Sequence, residues 1–435
     1  MQDLYDIILR LVMEPNSPSN QKLCVINTDN VPNNATLIRS YMLEIAREEN
    51  GTLIEKYLKE KVAFLDSMVD RITSEREGSE GMIPLCEPTP SKALVLLDKD
   101  GDLPLAEALQ QQPGVVIRTT NEQLQTDIAL KLRVCNGTHT AIAHAFALCQ
   151  YFQTDVLSKE EPGALFMKYL DSLVTQQIVP AAACSGQSIQ CTSDEATAVW
   201  KDWRSRLIHP HFGLSSFFIT QNGTAKGGIR WGPTVSALVL SSRETTAAMA
   251  FAYAVLLRWL TPITDKSAFE DEIFKGWMDG LDASVVVGAL RGESTTYGVV
   301  EYADGLQHCA NEGWYEYKCS LRVANPHDAT HKIPLPQVLR ECVGQRPNKC
   351  VIAVRAYLLA TEGGNLSDEV ASKPEFENLV HAVATFYSRL VGPPSETKLV
   401  MEILEELDAS KVGGLIGFDT PCNSMMDYYM YLSGI

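Results

Sequence analysis

The chain has 435 residues, enough for two or three domains, and 45% hydrophobic with 21% charged content is the balance of a globular protein. Its net charge of −17 argues against a nucleic-acid backbone as partner, because such a partner needs a positive footprint. The eleven cysteines include no Cys-x2-Cys pair, the N-terminus has no signal-peptide pattern, and the most apolar run, 247–257, falls short of the roughly 20 residues of a membrane span. A reducing, cytosolic setting without membrane contact is expected, and the sequons at Asn34, Asn136, Asn222 and Asn365 are then incidental.

In chain order, apolar residues at helical spacing (Leu4, Ile7, Ile8, Leu11, Val12) predict a helix over 4–13, and the apolar 22–27 predicts a strand. Helices are expected over 36–47 and 52–65. The proline- and glycine-bearing 73–91 is expected to be a loop broken by a short apolar piece at 82–86. Residues 93–97 and 114–118 are predicted strands around a short helix at 103–112. A long helix is expected over 124–147, others over 164–179 (ending at Pro180) and 196–208, and a strongly buried one over 243–260. Residues 285–290 and 296–302 have strand character. Four helices follow, over 337–343, 351–360, 376–390 and 397–408. The expected class is mostly α with a small β component.

The most informative stretch is Lys131-Leu132-Arg133-Val134-Cys135-Asn136-Gly137-Thr138-His139. Asn136 and His139 are three apart and share a helix face. A lysine pressed into apolar surroundings loses basicity, which is how an amine becomes a general base near neutral pH. Spacing alone equally fits a surface lysine, a capping asparagine and a core histidine.

The Lys-x4-Asn-x2-His spacing resembles the signature of the polyol-specific long-chain dehydrogenases, a family that includes mannitol 2-dehydrogenase and the fructuronate and tagaturonate reductases. Three further pieces match in the same order: Asn27-Thr28-Asp29-Asn30-Val31-Pro32-Asn33-Asn34, Phe64-Leu65-Asp66-Ser67-Met68-Val69-Asp70-Arg71-Ile72, and Ile83-Pro84-Leu85-Cys86-Glu87-Pro88. The resemblance runs from about Cys24 to Ala147 and extends more weakly to Leu260. It implies a helical catalytic domain like the C-terminal domain of that family. It also implies an NAD- or NADP-dependent oxidoreductase acting on the CH–OH of a sugar alcohol or sugar acid. Lys131 would be the general base, with Asn136, His139 and Asn30 holding the substrate oxygen. Asp70 and Arg71 would lie near the nicotinamide end of the cofactor.

Lys226 and Arg230 resemble the tagaturonate-reductase form of a second motif, and a lysine with an arginine suits a carboxylate. Asp328-Ala329-Thr330-His331-Lys332-Ile333-Pro334 resembles the polyol form of the same motif. The spacing from His209-Pro210 favours Lys226.

The chain departs from the family in one major respect. It contains no Gly-x-Gly-x-x-Gly after a strand, so most of the nucleotide-binding domain is expected to be missing. The expected division is 1–30 as the end of that domain, 31–260 as the helical substrate domain, 261–330 as an insertion with some strand, and 331–435 as a C-terminal helical region. A rival reading is a non-catalytic sugar-binding or scaffold protein. No metal is expected, because His209 with His211, and His327 with His331 and Asp328, do not complete a ligand set.

Overall fold

The structure, a computed structural model, describes residues 2–13, 22–29, 33–49, 51–71, 73–74, 85–87, 90–149, 151, 153–184, 191–210, 213–214, 216–220, 223–261, 305–309, 314–318, 321–325, 328–392, 400–409, 416–425, 429–430 and 432. It is mostly helical with small sheets. Packing divides it into two compact units, 1–131 and 132–435.

In the first unit, strand β1 (Leu23–Ile26) pairs in parallel with β2 (Val62–Leu65). The segment expected to end at residue 30 is therefore packed with the residues that follow it. Helices α1 (Gln2–Met13), α2 (Asn34–Glu48) and α3 (Thr52–Glu60) meet in a core of Tyr5, Ile8, Met42, Ala46, Ile54, Leu58 and Val62. The expected helix over 52–65 thus stops at Glu60. Val62–Leu65 carries an apolar pattern that fits either period, and pairing with the distant β1 decides it. Strand β3 (Ser67–Val69) runs antiparallel to β6 (Leu94–Leu97), which is parallel to β7 (Val115–Arg118). A two-residue ribbon joins β4 (Thr73–Ser74) to β5 (Leu85–Cys86) inside the expected loop. Helix α4 (Ala106–Gln110) is shorter than expected, and α5 (Asn121–Leu130) completes the unit. Thr120 caps α5 by accepting from the Gln123 N–H at 3.3 Å.

The second unit is built on two buried helices. Every residue of α6 (Gly137–Leu148) and of α13 (Ala247–Trp259) is buried, as expected of helices apolar all round. Helix α13 packs on α6 and on the helix Pro374–Leu390, which in turn packs on Pro347–Leu359. Helix α6 also carries α10 (Ser216–Thr220) on one side.

Among the described residues, three π-helical turns interrupt the helices, at Lys131–Asn136, Val174–Ile178 and Gly227–Trp231. Such turns cluster at functional sites. The first joins α5 to α6. The second carries α7 (Gly163–Leu173) into α8 (Val179–Ala182), so the helix continues through Pro180 instead of ending there. The third joins α11 (Gly223–Lys226) to α12 (Gly232–Leu240). Glycine is required in that third turn by close approach: a Cβ on Gly228 would stand 2.3 Å from the Gly363 carbonyl oxygen.

Helix α9 (Ser193–Leu207) starts with a reciprocal capping box between Thr192 and Glu195. Two antiparallel ribbons, β8 (Gly305–Cys309) with β9 (Trp314–Lys318) and β10 (Arg322–Asn325) with β11 (Asp328–Pro334), account for the described strands of the second unit. The strands expected over 285–302 lie outside the described residues. Among the described residues, no helix is long and apolar enough to cross a membrane, and no group of three acidic, histidine or cysteine side chains is arranged to hold a metal ion.

Candidate active site

Lys131 ends the first unit. It is buried, and its Nζ donates to the carbonyl of Val69 at the end of β3. The amine is thus sheltered from bulk water, in the Met68-Val69-Asp70 stretch that the sequence singled out. Asp70 is half-buried, and its N–H donates to the Ala93 carbonyl at 2.9 Å; Arg71 is exposed. Asn30 lies outside the described residues. Its neighbour Asp29 donates its N–H to Asn27 Oδ1 at 3.0 Å, an Asx-type contact. The buried carboxamide of this segment is Asn34, whose Nδ2 donates to Ser67 Oγ and to the carbonyls of Asn27 and Asp29, each at 2.9 Å.

In the second unit, Asn136 closes the first π-turn. Its side-chain amide makes no hydrogen bond among the described residues, so it is available to a ligand. His139, one turn on, is buried edge-on to Trp203, with ring centroids 5.6 Å apart. Burial, reinforced by the charges of Arg230, Lys226 and Arg206, pushes its pKa down to about 3, so the imidazole is neutral at physiological pH.

Lys226 ends α11, and its Nζ donates to the Ile219 carbonyl. Burial of the amine, with Arg230 adding like-charge repulsion, lowers its pKa to about 7. Arg230 sits in the third π-turn. Burial holds it down to about 10, still charged at neutral pH. Its Nη1 donates to the Asn136 carbonyl at 3.2 Å and to Thr140 Oγ1. Its Nε and Nη2 edge has no hydrogen bond among the described residues, and neither Lys226 nor Arg230 has a carboxylate partner there. A charged Arg230 and a partly charged Lys226 around a neutral imidazole make a region suited to an anion.

Sequence reasoning missed several parts of this region. The start of α6 is held by two indoles: Trp203 Nε1 donates to Thr138 Oγ1 at 2.9 Å and Trp231 Nε1 to the Gly137 carbonyl at 3.1 Å. Trp203 is thus a buried packing residue that also makes a specific polar contact. His144 is fully buried, and its Nδ1–H donates to the Thr140 carbonyl at 2.8 Å. That bond fixes Nε2 as the unprotonated nitrogen, and Nε2 has no hydrogen-bond partner among the described residues. Burial pushes the His144 pKa down to about 3, with the charges of Lys226 and Arg230 acting in the same direction. The one available signal was the spacing of Thr140 and His144, four apart on a helix.

A dinucleotide's pyrophosphate would need free N–H groups at a helix start that follows a strand. At α2 the N–H groups of Ala35 and Thr36 both donate to Asp66 Oδ1 at 2.9 Å. After β6 the N–H groups of Asp102 and Leu103 donate to Asp98, and at α5 Thr120 takes the Gln123 N–H. A cavity of about 350 Å³ beside β2 and β6 is lined by the carboxylates Asp66, Asp98, Asp100 and Asp102 together with the basic Arg39, Lys59 and Lys99. At these three helix starts the N–H groups are thus already taken by side chains of the chain itself.

No protein-family model matches the chain. Over 170 residues, 36% of this chain, it is 26% identical to the mannitol 2-dehydrogenase of Pyrenophora tritici-repentis (strain Pt-1C-BFP). Over 167 residues, again 36% of this chain, it is 28% identical to the mannitol 2-dehydrogenase of Cereibacter sphaeroides. Along that stretch the chain is a sequence relative of mannitol 2-dehydrogenases. The matches span only 28% and 32% of the length of those two proteins. Among solved structures, similarity extends to the Pseudomonas fluorescens mannitol 2-dehydrogenase ternary complex with NAD and D-mannitol. The TM-score is 0.49 and the identity 18%, over 92% of this chain and 66% of that one. A substrate-free D-sorbitol dehydrogenase gives a TM-score of 0.46 and 18% identity, over 65% of this chain and 62% of that one.

Proposed function

We propose that the chain carries the substrate- and proton-handling part of an oxidoreductase acting on the CH–OH of a sugar alcohol or sugar acid. Lys131 serves as general base for the hydroxyl proton, and Asn136 and His139 steady the substrate oxygen as charge develops on it. Lys226 and Arg230 bind the far end of the substrate, which favours a carboxylate and hence a sugar acid. Asn30 belongs to the same substrate-oxygen set, and Asp70 and Arg71 to the cofactor side. The observation that carries the reading is the pair of half-buried basic side chains, Lys226 and Arg230, without a carboxylate partner among the described residues, beside the neutral imidazole of His139. The sequence relationship to mannitol 2-dehydrogenases supports the reaction class. The hydride partner in this proposal is NAD or NADP, and no described residue is assigned to its pyrophosphate.

A second reading, a sugar- or sugar-acid-binding protein without redox chemistry, is favoured by one observation. Asp66, Asp98 and Thr120 already take the backbone amides that a dinucleotide would need. Calorimetric titration separates the two. The oxidoreductase reading expects NAD or NADP to bind as well as D-gluconate or D-mannitol. Sugar binding with no cofactor binding would leave the second reading standing and remove the first.

A further inference from the structure

The two π-turns of the second unit that hold Asn136 and Arg230 meet through a single guanidinium. The carbonyl of Asn136 accepts from Thr140 Oγ1 at 2.8 Å and from Arg230 Nη1 at 3.2 Å, and Nη1 also donates to Thr140 Oγ1. Trp231, the next residue, fixes the adjoining Gly137 carbonyl at 3.1 Å. One edge of Arg230 is therefore committed to the backbone that carries Asn136. Its opposite edge, Nε with Nη2, is the side-on fork that matches a carboxylate, and it has no hydrogen bond among the described residues.

We propose that Arg230 is a specificity-determining residue that couples recognition of an acid group to the positioning of Asn136. A substrate carboxylate on the free edge of the fork draws the planar guanidinium into one orientation. That orientation fixes the Asn136 carbonyl, and with it the carboxamide that faces the substrate. A neutral polyol makes no such fork contact, so it leaves the start of α6 as it is. The cation on its own does not give this behaviour: Lys226 offers charge in the same region but bonds to Ile219, away from the π-turn. The inference rests on the sugar-acid form of the proposed function, and it adds a mechanism by which acid and neutral substrates differ beyond affinity.

The test is hydrogen exchange by mass spectrometry on the full chain, following peptides within 132–140, with saturating D-gluconate or D-mannitol as probes and affinities taken from calorimetry. D-Gluconate is expected to slow exchange in these peptides and D-mannitol to leave it unchanged. Arg230→Lys keeps the charge but loses the fork, so it is expected to keep weakened gluconate binding, by roughly tenfold, and to lose the protection. Arg230→Gln is expected to lose most gluconate binding. The wild-type comparison needs no variant, so poor folding of either substitution leaves the test intact. Gluconate binding without protection at 132–140, or protection that survives Arg230→Lys, overturns the coupling and leaves the sugar-acid reading in place. Failure of the wild type to bind gluconate overturns both.

Discussion

Lowering the pH from about 7.5 to about 5 is expected to destabilise the second unit through its two buried histidines. His139 and His144 titrate at about 3 in the folded chain, because burial and nearby cations oppose the charged form. In the unfolded chain both return to about 6.5. Between these values the unfolded chain binds more protons, so stability is full above about 6.5 and falls as the pH drops toward 3. At about pH 5 an unfolded histidine is almost wholly protonated while its folded counterpart is neutral, a difference of about 1.5 pH units, or roughly 2 kcal/mol per residue. If the two act independently, the loss is about 4 kcal/mol, a large share of the 5–15 kcal/mol typical of a domain. Urea unfolding followed by tryptophan fluorescence at the two pH values measures it. His144→Gln, which keeps a donor for the Thr140 carbonyl and cannot charge, is expected to reduce the loss to about half. A variant that loses as much stability as the wild type over this interval would refute the reasoning.

The same sign applies to Lys226 at higher pH. Its folded pKa of about 7 lies below the ordinary 10.5, so stability is expected to rise by roughly 2 kcal/mol between about pH 7 and pH 9, and Lys226→Met is expected to remove the rise. An acid ligand that recharges this amine should take up close to one proton per molecule bound near pH 8, measurable by calorimetry in buffers of different ionisation enthalpy. Gly228→Ala places a methyl group 2.3 Å from the Gly363 carbonyl oxygen, and an overpacking loss of about 1–3 kcal/mol is expected in thermal or urea unfolding. A neutral result there would mean that the third π-turn yields easily.

The helical class and most helix positions were legible from apolar periodicity, as with Ala247–Trp259, because burial all round leaves a continuous apolar run. The strand Val62–Leu65 was not legible, because its partner β1 lies far back in the chain and a four-residue apolar run fits both periods. The π-turns were hidden for a related reason. Residues 131–136 keep helical composition, and the extra residue per turn is accommodated by side chains that arrive from elsewhere, Arg230 and Trp231 among them. In the candidate site, the residue types at Lys131, Asn136, His139, Lys226 and Arg230 were legible as chemistry. What could not be foreseen was how they are used: the Val69 carbonyl as acceptor for Lys131, the divided use of the Arg230 guanidinium, and His144 as a second buried neutral imidazole.

The central claim is that a sheltered amine takes a proton from a sugar hydroxyl, and turnover tests it most directly. Oxidation of D-mannitol and D-gluconate with NAD or NADP, followed by formation of reduced nicotinamide, is to be compared for the wild type and Lys131→Met. The account predicts turnover by the wild type and a fall in kcat of about 10²–10⁴-fold in the variant, with substrate affinity largely kept. Equal rates in the two proteins, or a wild type that binds the sugar and never oxidises it, would contradict the claim.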